Sequence, residues 1–200
     1  ILRGHGNDVL QSFFSNDTRQ LFSVGMDKTL NSWDLKLPIP IKYFNIPEQR
    51  TFDVAFSPSN PNFFISANTF LYKHHLNEKI KLLATTLSNA YSVAFHPQNK
   101  YIAFGTKRLF LLPFPYKRKK RRIVLKGHRK YVKAVCFSLD GKWLLSGSVD
   151  GSVRLWDLKT KKNSVTMKHY RRIKSICFDP QSRYIASSSN GNDLKIWDLK

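Results

Sequence analysis

Residues 127–159 read GHRKYVKAVCFSLDGKWLLSGSVDGSVRLWDLK, and the alternation within that stretch decides the fold. Three short runs, AVCF, WLLSGS and SVRLW, are rich in β-branched and aromatic residues and are separated by turn residues such as Asp140-Gly141. Apolar and polar positions alternate within each run, the period of a strand with one side chain in and the next out. The stretch therefore predicts three short antiparallel strands, with a fourth in the linker.

The same stretch recurs along the chain. Trp33, Trp156 and Trp197 each open a Trp-Asp-Leu-Lys tetrapeptide, 123 and then 41 residues apart, so the first gap holds three periods. In the middle the same phase puts the absent tryptophans near His74 and Pro115. A second marker persists there: Phe14, Phe56, Phe95, Phe137 and Phe178, spaced by 42, 39, 42 and 41 residues, each close an apolar run. Five repeats follow, approximately 1–36, 37–76, 77–116, 117–159 and 160–200. No stretch shows a helical period. Small sheets repeated in this way bury both faces only against one another, which predicts an all-β fold of five four-stranded blades.

Gly-His at the start of a repeat and Trp-Asp at its end resemble the WD-repeat family, and the resemblance covers the whole chain. It implies a β-propeller, most often of seven blades. The chain opens on Ile1-Leu2-Arg3, the tail of an outer strand in the family pattern, and stops just after Trp197-Asp198. Five consecutive blades of a larger, seven-bladed ring are expected, with a closed five-blade ring as the alternative, and the chain itself is expected to be a fragment.

The resemblance also assigns a polar chain within a blade. The first repeat has His5, Ser23, Asp27 and Trp33 and the fourth has His128, Ser146, Asp150 and Trp156, at offsets of 18, 22 and 28 from the histidine. A buried carboxylate can hold an imidazole, which holds a hydroxyl, which holds the indole N–H, leaving no polar group unpaired. The same residue types suggest a hydrolase triad. Recurrence in two repeats favours the structural role, because a nucleophile needs no duplicate. The fifth repeat keeps His169, Ser187 and Trp197 but has Gly191 at the carboxylate position, which predicts a less rigid blade. The second and third repeats lack the signature, and their second hairpins look shortened.

Charge points to the kind of partner. The net charge is +21, with 10 basic against 7 acidic residues in the first hundred and 24 against 6 in the second. Such a skew suggests RNA, DNA or an acidic protein surface beside the second half. The family docks partners where the loop ahead of the innermost strand meets the turn after the second. In this sequence those loops carry Asn7, Asp8, Gln49, Arg50, Ser88, Asn89, Lys130, Tyr131, Arg171 and Arg172. Of these Arg50, Lys130, Tyr131, Arg171 and Arg172 are the expected partner-binding residues, because Arg and Tyr anchor interfaces. A solvated loop is the alternative for any one of them. The run Lys117, Arg118, Lys119, Lys120, Arg121, Arg122 is dense enough for a nuclear localisation signal or a phosphate patch, against a solvated loop. His169, Tyr170, Arg171, Arg172 and Lys174 mix rings with cations as single-stranded nucleic-acid surfaces do.

Other chemistry is not expected. His74 and His75 are adjacent on a strand and point to opposite faces, without a third ligand at metal spacing. No phosphate-binding glycine loop is present, the apolar runs are far shorter than the roughly 18 residues of a membrane span, and the start has no secretion-signal pattern. Cys136 and Cys177, at equivalent places 41 residues apart, are expected to be buried free thiols, in keeping with a reducing compartment. The sequence thus points to a non-enzymatic scaffold of a multisubunit, nuclear or nucleolar assembly, without cofactor, metal, membrane or small-molecule substrate, with possible RNA or DNA phosphate contacts. Two single-repeat likenesses leave alternatives: GHGNDVLQSFF with GMDKTLNSW is similar to embryonic-ectoderm-development-type histone-peptide readers, and SVAFHPQNKYIAFGT to actin-interacting proteins, which would be cytoplasmic.

Overall fold

In the computed structural model, which describes residues 3–14, 19–36, 40–45, 52–58, 60–67, 70–75, 81–86, 88–115 and 121–199, the secondary structure is β throughout. The first sheet runs β1 (Val9–Phe14), β2 (Gln20–Gly25), β3 (Thr29–Asp34) and β4 (Pro40–Asn45). The second runs β5 (Asp53–Ser57), β6 (Asn60–Ala67), β7 (Phe70–His75) and β8 (Lys81–Thr85). The third holds β9 (Ser92–Phe95), β10 (Tyr101–Gly105), β11 (Leu109–Pro113) and β12 (Ile123–Leu125). The fourth holds β13 (Val132–Phe137), β14 (Trp143–Ser148), β15 (Ser152–Asp157) and β16 (Lys162–Lys168). The fifth has β17 (Ile173–Phe178), β18 (Tyr184–Ser189) and β19 (Leu194–Asp198). All are antiparallel meanders. The fifth sheet has three strands among the described residues, where the sequence predicts four.

Register ties the five sheets to one pattern. Each marker phenylalanine pairs across the second strand to a residue of the third: Phe14 to Leu21 to Trp33, Phe137 to Leu144 to Trp156, and Phe178 to Ile185 to Trp197. In the second sheet the column is Phe56, Phe64, His74, and in the third it is Phe95, Ile102, Leu112. The tryptophan position of the third repeat is therefore Leu112, not Pro115. Hairpin length supplies two of the three residues of that offset: ten residues separate the last two columns in the second and third sheets, against twelve in the others. That shortening also removes the turn that carries the aspartate.

The inner strands β1, β5, β9, β13 and β17 pack in sequence order. Successive side chains of one strand serve the two neighbouring sheets, as the two-residue period requires. Ile102 and Phe104 of β10 join Leu71 and Val93 between the second and third sheets, while Ala103 joins Val132, Leu144 and Trp156 between the third and fourth. Leu145 of β14 turns the other way, to Ile173, Ile176 and Ile185 of the fifth. Phe22, Val24, Leu30 and Val54 fill the first boundary. Each fully buried Leu or Phe here contributes about 2 kcal/mol. No wall stands alone; this is how blades of a propeller pack.

Cysteine burial differs from expectation. Cys136 is half-buried on the side of β13 that meets the fifth sheet, its thiol donating to the Ile176 carbonyl, and burial pushes that thiol up to about 12. Cys177 is a free, exposed thiol. It occupies the same place one sheet later, and among the described residues no sheet packs against that side.

Candidate functional site

The meander places two kinds of loop together on one face. Met26 N–H donates to the Asp8 carbonyl at 2.8 Å, Val149 to Tyr131 at 2.9 Å and Asn190 to Arg172 at 3.0 Å. Each bond ties the turn after the second strand to the loop ahead of the innermost one. Lys130, Tyr131, Arg171 and Arg172 all stand on this face and are exposed, as are Asn7 and Asp8; Ser88 and Asn89 are half-buried. Arg50 and Gln49 lie outside the described residues, as do Lys117, Arg118, Lys119 and Lys120 of the basic run.

The end of that run is in use. Arg122 Nη1 donates to the Thr85 carbonyl at 3.1 Å, and its guanidinium lies 4.9 Å from the Phe110 ring centroid, bracing the second sheet against the third. Arg121 is exposed.

Three polar chains run under the same face. His5 Nδ1 lies 2.9 Å from Asp27 and its Nε2 2.7 Å from Ser23 Oγ, which accepts from Trp33 Nε1 at 2.7 Å. His128 joins Asp150 at 3.1 Å and Ser146 at 2.7 Å, with Trp156 donating to Ser146 at 2.8 Å. Each serine oxygen thus accepts the indole proton and gives its own to imidazole. Buried and doubly bonded, it is not available as a nucleophile. Burial works to raise Asp150, but hydrogen bonds from His128, Ser152 and the Arg129 and Ser152 backbone outweigh it and hold the carboxyl below its ordinary value.

The fifth chain corrects the expectation of a missing carboxylate. His169 Nε2 meets Ser187 Oγ at 2.8 Å, Trp197 donates to Ser187 at 2.8 Å, and His169 Nδ1 bonds Asp193 at 2.7 Å. Asp193 lies 24 residues beyond its histidine, the place of the hydroxyls Thr29 and Ser152 in the other repeats, which there bond the aspartate two residues earlier. Ser189 donates to Asp193 in exchange. Backbone geometry explains the swap: Lys28, Gly151 and Asn192, all at offset 23, have φ of 64°, 79° and 58°, so the same left-handed turn aims whichever acid is nearest at the imidazole. A fixed spacing of 22 missed it. His74 and His75 are consecutive on β7, and their side chains lie outside the described ones. Among the described residues no cluster of metal-ligating side chains occurs.

A feature of this face escaped sequence reasoning. Leu10, Lys133 and Lys174, each four residues before the marker phenylalanine, are skipped in the register of β1, β13 and β17 and sit on β-bulges. A bulge re-aims its side chain. Lys133 Nζ comes to 3.0 Å from the ring centroid of Tyr91, the residue at the same position one sheet earlier. Tyr91 in turn packs on Phe52 at 4.8 Å and edge-on to Tyr131 at 5.4 Å. Burial, then the charge of Arg172, lowers Lys133 from its ordinary value. Arg172 also meets the Asn190 carboxamide, whose oxygen accepts from Nε at 2.6 Å. The column Leu10, Phe52, Tyr91, Lys133, Lys174 was readable from the marker spacing.

On the fourth and fifth sheets this face therefore presents Arg129, Lys130, Lys133, Arg171, Arg172 and Lys174. Its two carboxylates, Asp150 and Asp193, are both bonded to histidine.

Comparison with known proteins agrees with this architecture. The profile of the WD domain, G-beta repeat, matches residues 1–34, 119–157 and 161–198. Serine-threonine kinase receptor-associated protein of Gallus gallus is 26% identical over 164 residues, 81% of this chain and 46% of that one. Protein SOF1 of Saccharomyces cerevisiae is 26% identical over 167 residues, 80% of this chain and 34% of that one. Transcription initiation factor TFIID subunit 5 of Caenorhabditis elegans is 24% identical over 159 residues, 78% of this chain and 24% of that one. The chain spans less than half the length of these curated relatives. With the profile matched over more than half its residues, on top of five sheets in one register, the chain belongs to the WD-domain, G-beta-repeat family.

Proposed function

We propose that the chain is a non-catalytic interaction scaffold of a multisubunit nuclear or nucleolar assembly, and that the loop face of its fourth and fifth sheets docks a polyanionic partner. The observation that carries this reading is the charge imbalance of that face: six basic side chains surround two carboxylates that are already committed to histidines. Basic loops without counter-charges lower the cost of bringing a polyanion near and speed its arrival. The relatives' names support the assembly half of the proposal, since one is a subunit of a transcription initiation factor and another is receptor-associated. Leu194 and Ile196 of β19, 68% and 69% exposed, support a further blade against the fifth sheet and so a larger ring.

A second reading, a peptide reader that captures a cationic side chain, has Phe52, Tyr91 and Tyr131 in its favour. Lys133 weighs against it, because an ammonium already sits on the Tyr91 ring. The test is binding of the full chain to labelled RNA and to polyglutamate over a salt series. Affinity for at least one should fall steeply with salt, and Lys130→Glu with Arg171→Glu should flatten that slope. Salt-insensitive binding, or none to either probe, overturns the docking proposal.

A further inference from the structure

The aromatic residues around Lys133 deepen the polyanion reading, on which this inference rests. We propose that the mouth formed by the loops of the third, fourth and fifth sheets is a stacking site for single-stranded nucleic acid, with Tyr131 receiving a base and Lys133 and Arg172 receiving the adjoining phosphates.

Tyr131 stands in the loop just ahead of β13, 40% exposed, with Tyr91 edge-on behind it. Tyr91 is itself wedged between Phe52 and the Lys133 ammonium. The ring is thereby held in place while part of its surface remains in water. A rigid, half-exposed ring beside cations is what a base needs, because stacking requires an aromatic face and phosphate requires positive charge at backbone distance. Tyr170, two residues before Arg172, offers a second ring: it is wholly exposed, with Lys195 Nζ 5.9 Å from its centroid.

Among the described residues the two cations have no partner of opposite sign. Lys133 and Arg172 repel one another across the boundary between the fourth and fifth sheets, and among the described residues neither forms an ion pair with a carboxylate. Asp53, next to Phe52 in the chain, accepts from the Ser92 hydroxyl at 3.0 Å and the Val93 N–H at 2.8 Å. A phosphate between the two would relieve the repulsion. An acidic peptide could do that as well, but it would leave the rings unused. A duplex would supply phosphates with its bases already stacked inside.

The experiment compares three labelled probes by fluorescence anisotropy on the full chain: a single-stranded oligouridylate of about twelve nucleotides, a duplex of the same length and a polyglutamate peptide. The single strand should bind most tightly. Tyr131→Ala should weaken it about tenfold with the salt slope unchanged, while leaving duplex and peptide binding as they were; Tyr131→Phe should keep wild-type affinity. Tyr170→Ala, at a side chain that touches no core, should also weaken the single strand without altering the melting temperature. If the single strand binds no better than duplex or polyglutamate, or if neither tyrosine matters, stacking is overturned and polyanion docking stands. If no probe binds, both fall.

Discussion

His96 donates its Nε2 proton to the carbonyl of Gly141, 2.9 Å away across the boundary between the third and fourth sheets. Its Nδ1 accepts from the Gln98 N–H at 3.1 Å, so both nitrogens are committed to the neutral ring. Gly141, at φ 70°, cannot be replaced there: a Cβ would fall 2.6 Å from the imidazole.

The first prediction follows from that pair. Burial, and then the charges of Lys100 and Lys161, hold His96 below its ordinary value of 6.5, against the pull of the Gly141 bond. The unfolded chain therefore binds a proton at His96 before the folded chain does. The stability contributed by the neutral ring is present above pH 6.5 and is lost as pH falls from 6.5 towards the lowered folded value. Melting temperatures of the full chain at pH 7.5 and 5.5 should differ less in His96→Asn than in the wild type. An equal drop in both would reject the assignment.

The polar chains should rank by burial. Asp150→Ala leaves His128, Ser152 and the Arg129 N–H without their acceptor, a loss of about 2 kcal/mol in urea unfolding. Asp193→Ala should cost less, because that carboxylate is 31% exposed against 11% for Asp150, and water can replace it. Asp150 is held low in the fold, so its contribution is present above pH 3.8 and lost as pH falls below it.

Turn geometry gives a pair of opposite signs. Gly151→Ala adds a Cβ 2.8 Å from the His169 carbonyl at a left-handed φ and should destabilise by about 1–2 kcal/mol. Lys28→Gly, at the same position of the first sheet, should raise stability by a few tenths of a kcal/mol. Thermal unfolding of the two variants checks both directions.

Arg122 and Arg121 should separate structure from association. Arg122→Ala loses the bond to Thr85 and the contact with Phe110 and should lower stability by about 1 kcal/mol. Arg121→Ala should leave the melting temperature unchanged. Loss of stability in both, or in neither, contradicts the brace.

Strand positions were legible because each apolar run carries its own two-residue period and ends on a marker phenylalanine. His5, Ser23 and Trp33 could be carried to the fourth and fifth repeats because their spacing lies within the hairpin that fixes it. What depended on turn length could not be transferred. A uniform period points to Pro115, but a hairpin shorter by two residues and a marker spacing shorter by one put Leu112 there instead. Asp193 was missed because the turn can aim an acid from either of two positions. Phe52, Tyr91 and Lys133 share one place relative to the marker phenylalanine and could be aligned from spacing, but that Tyr131 joins them across repeats is revealed only by packing.

The bulged position of β1, β13 and β17 lies outside the pairing ladder, so its side chain answers to no cross-strand neighbour. Leucine and lysine occupy it with the same backbone around them. Chemistry at that spot is thus uncoupled from the hydrogen-bond ladder: in these three sheets the residue shown at the rim can change while the strand pairing behind it stays the same. A blade so made can change the charge it shows at the rim by exchanging one side chain, with its register untouched.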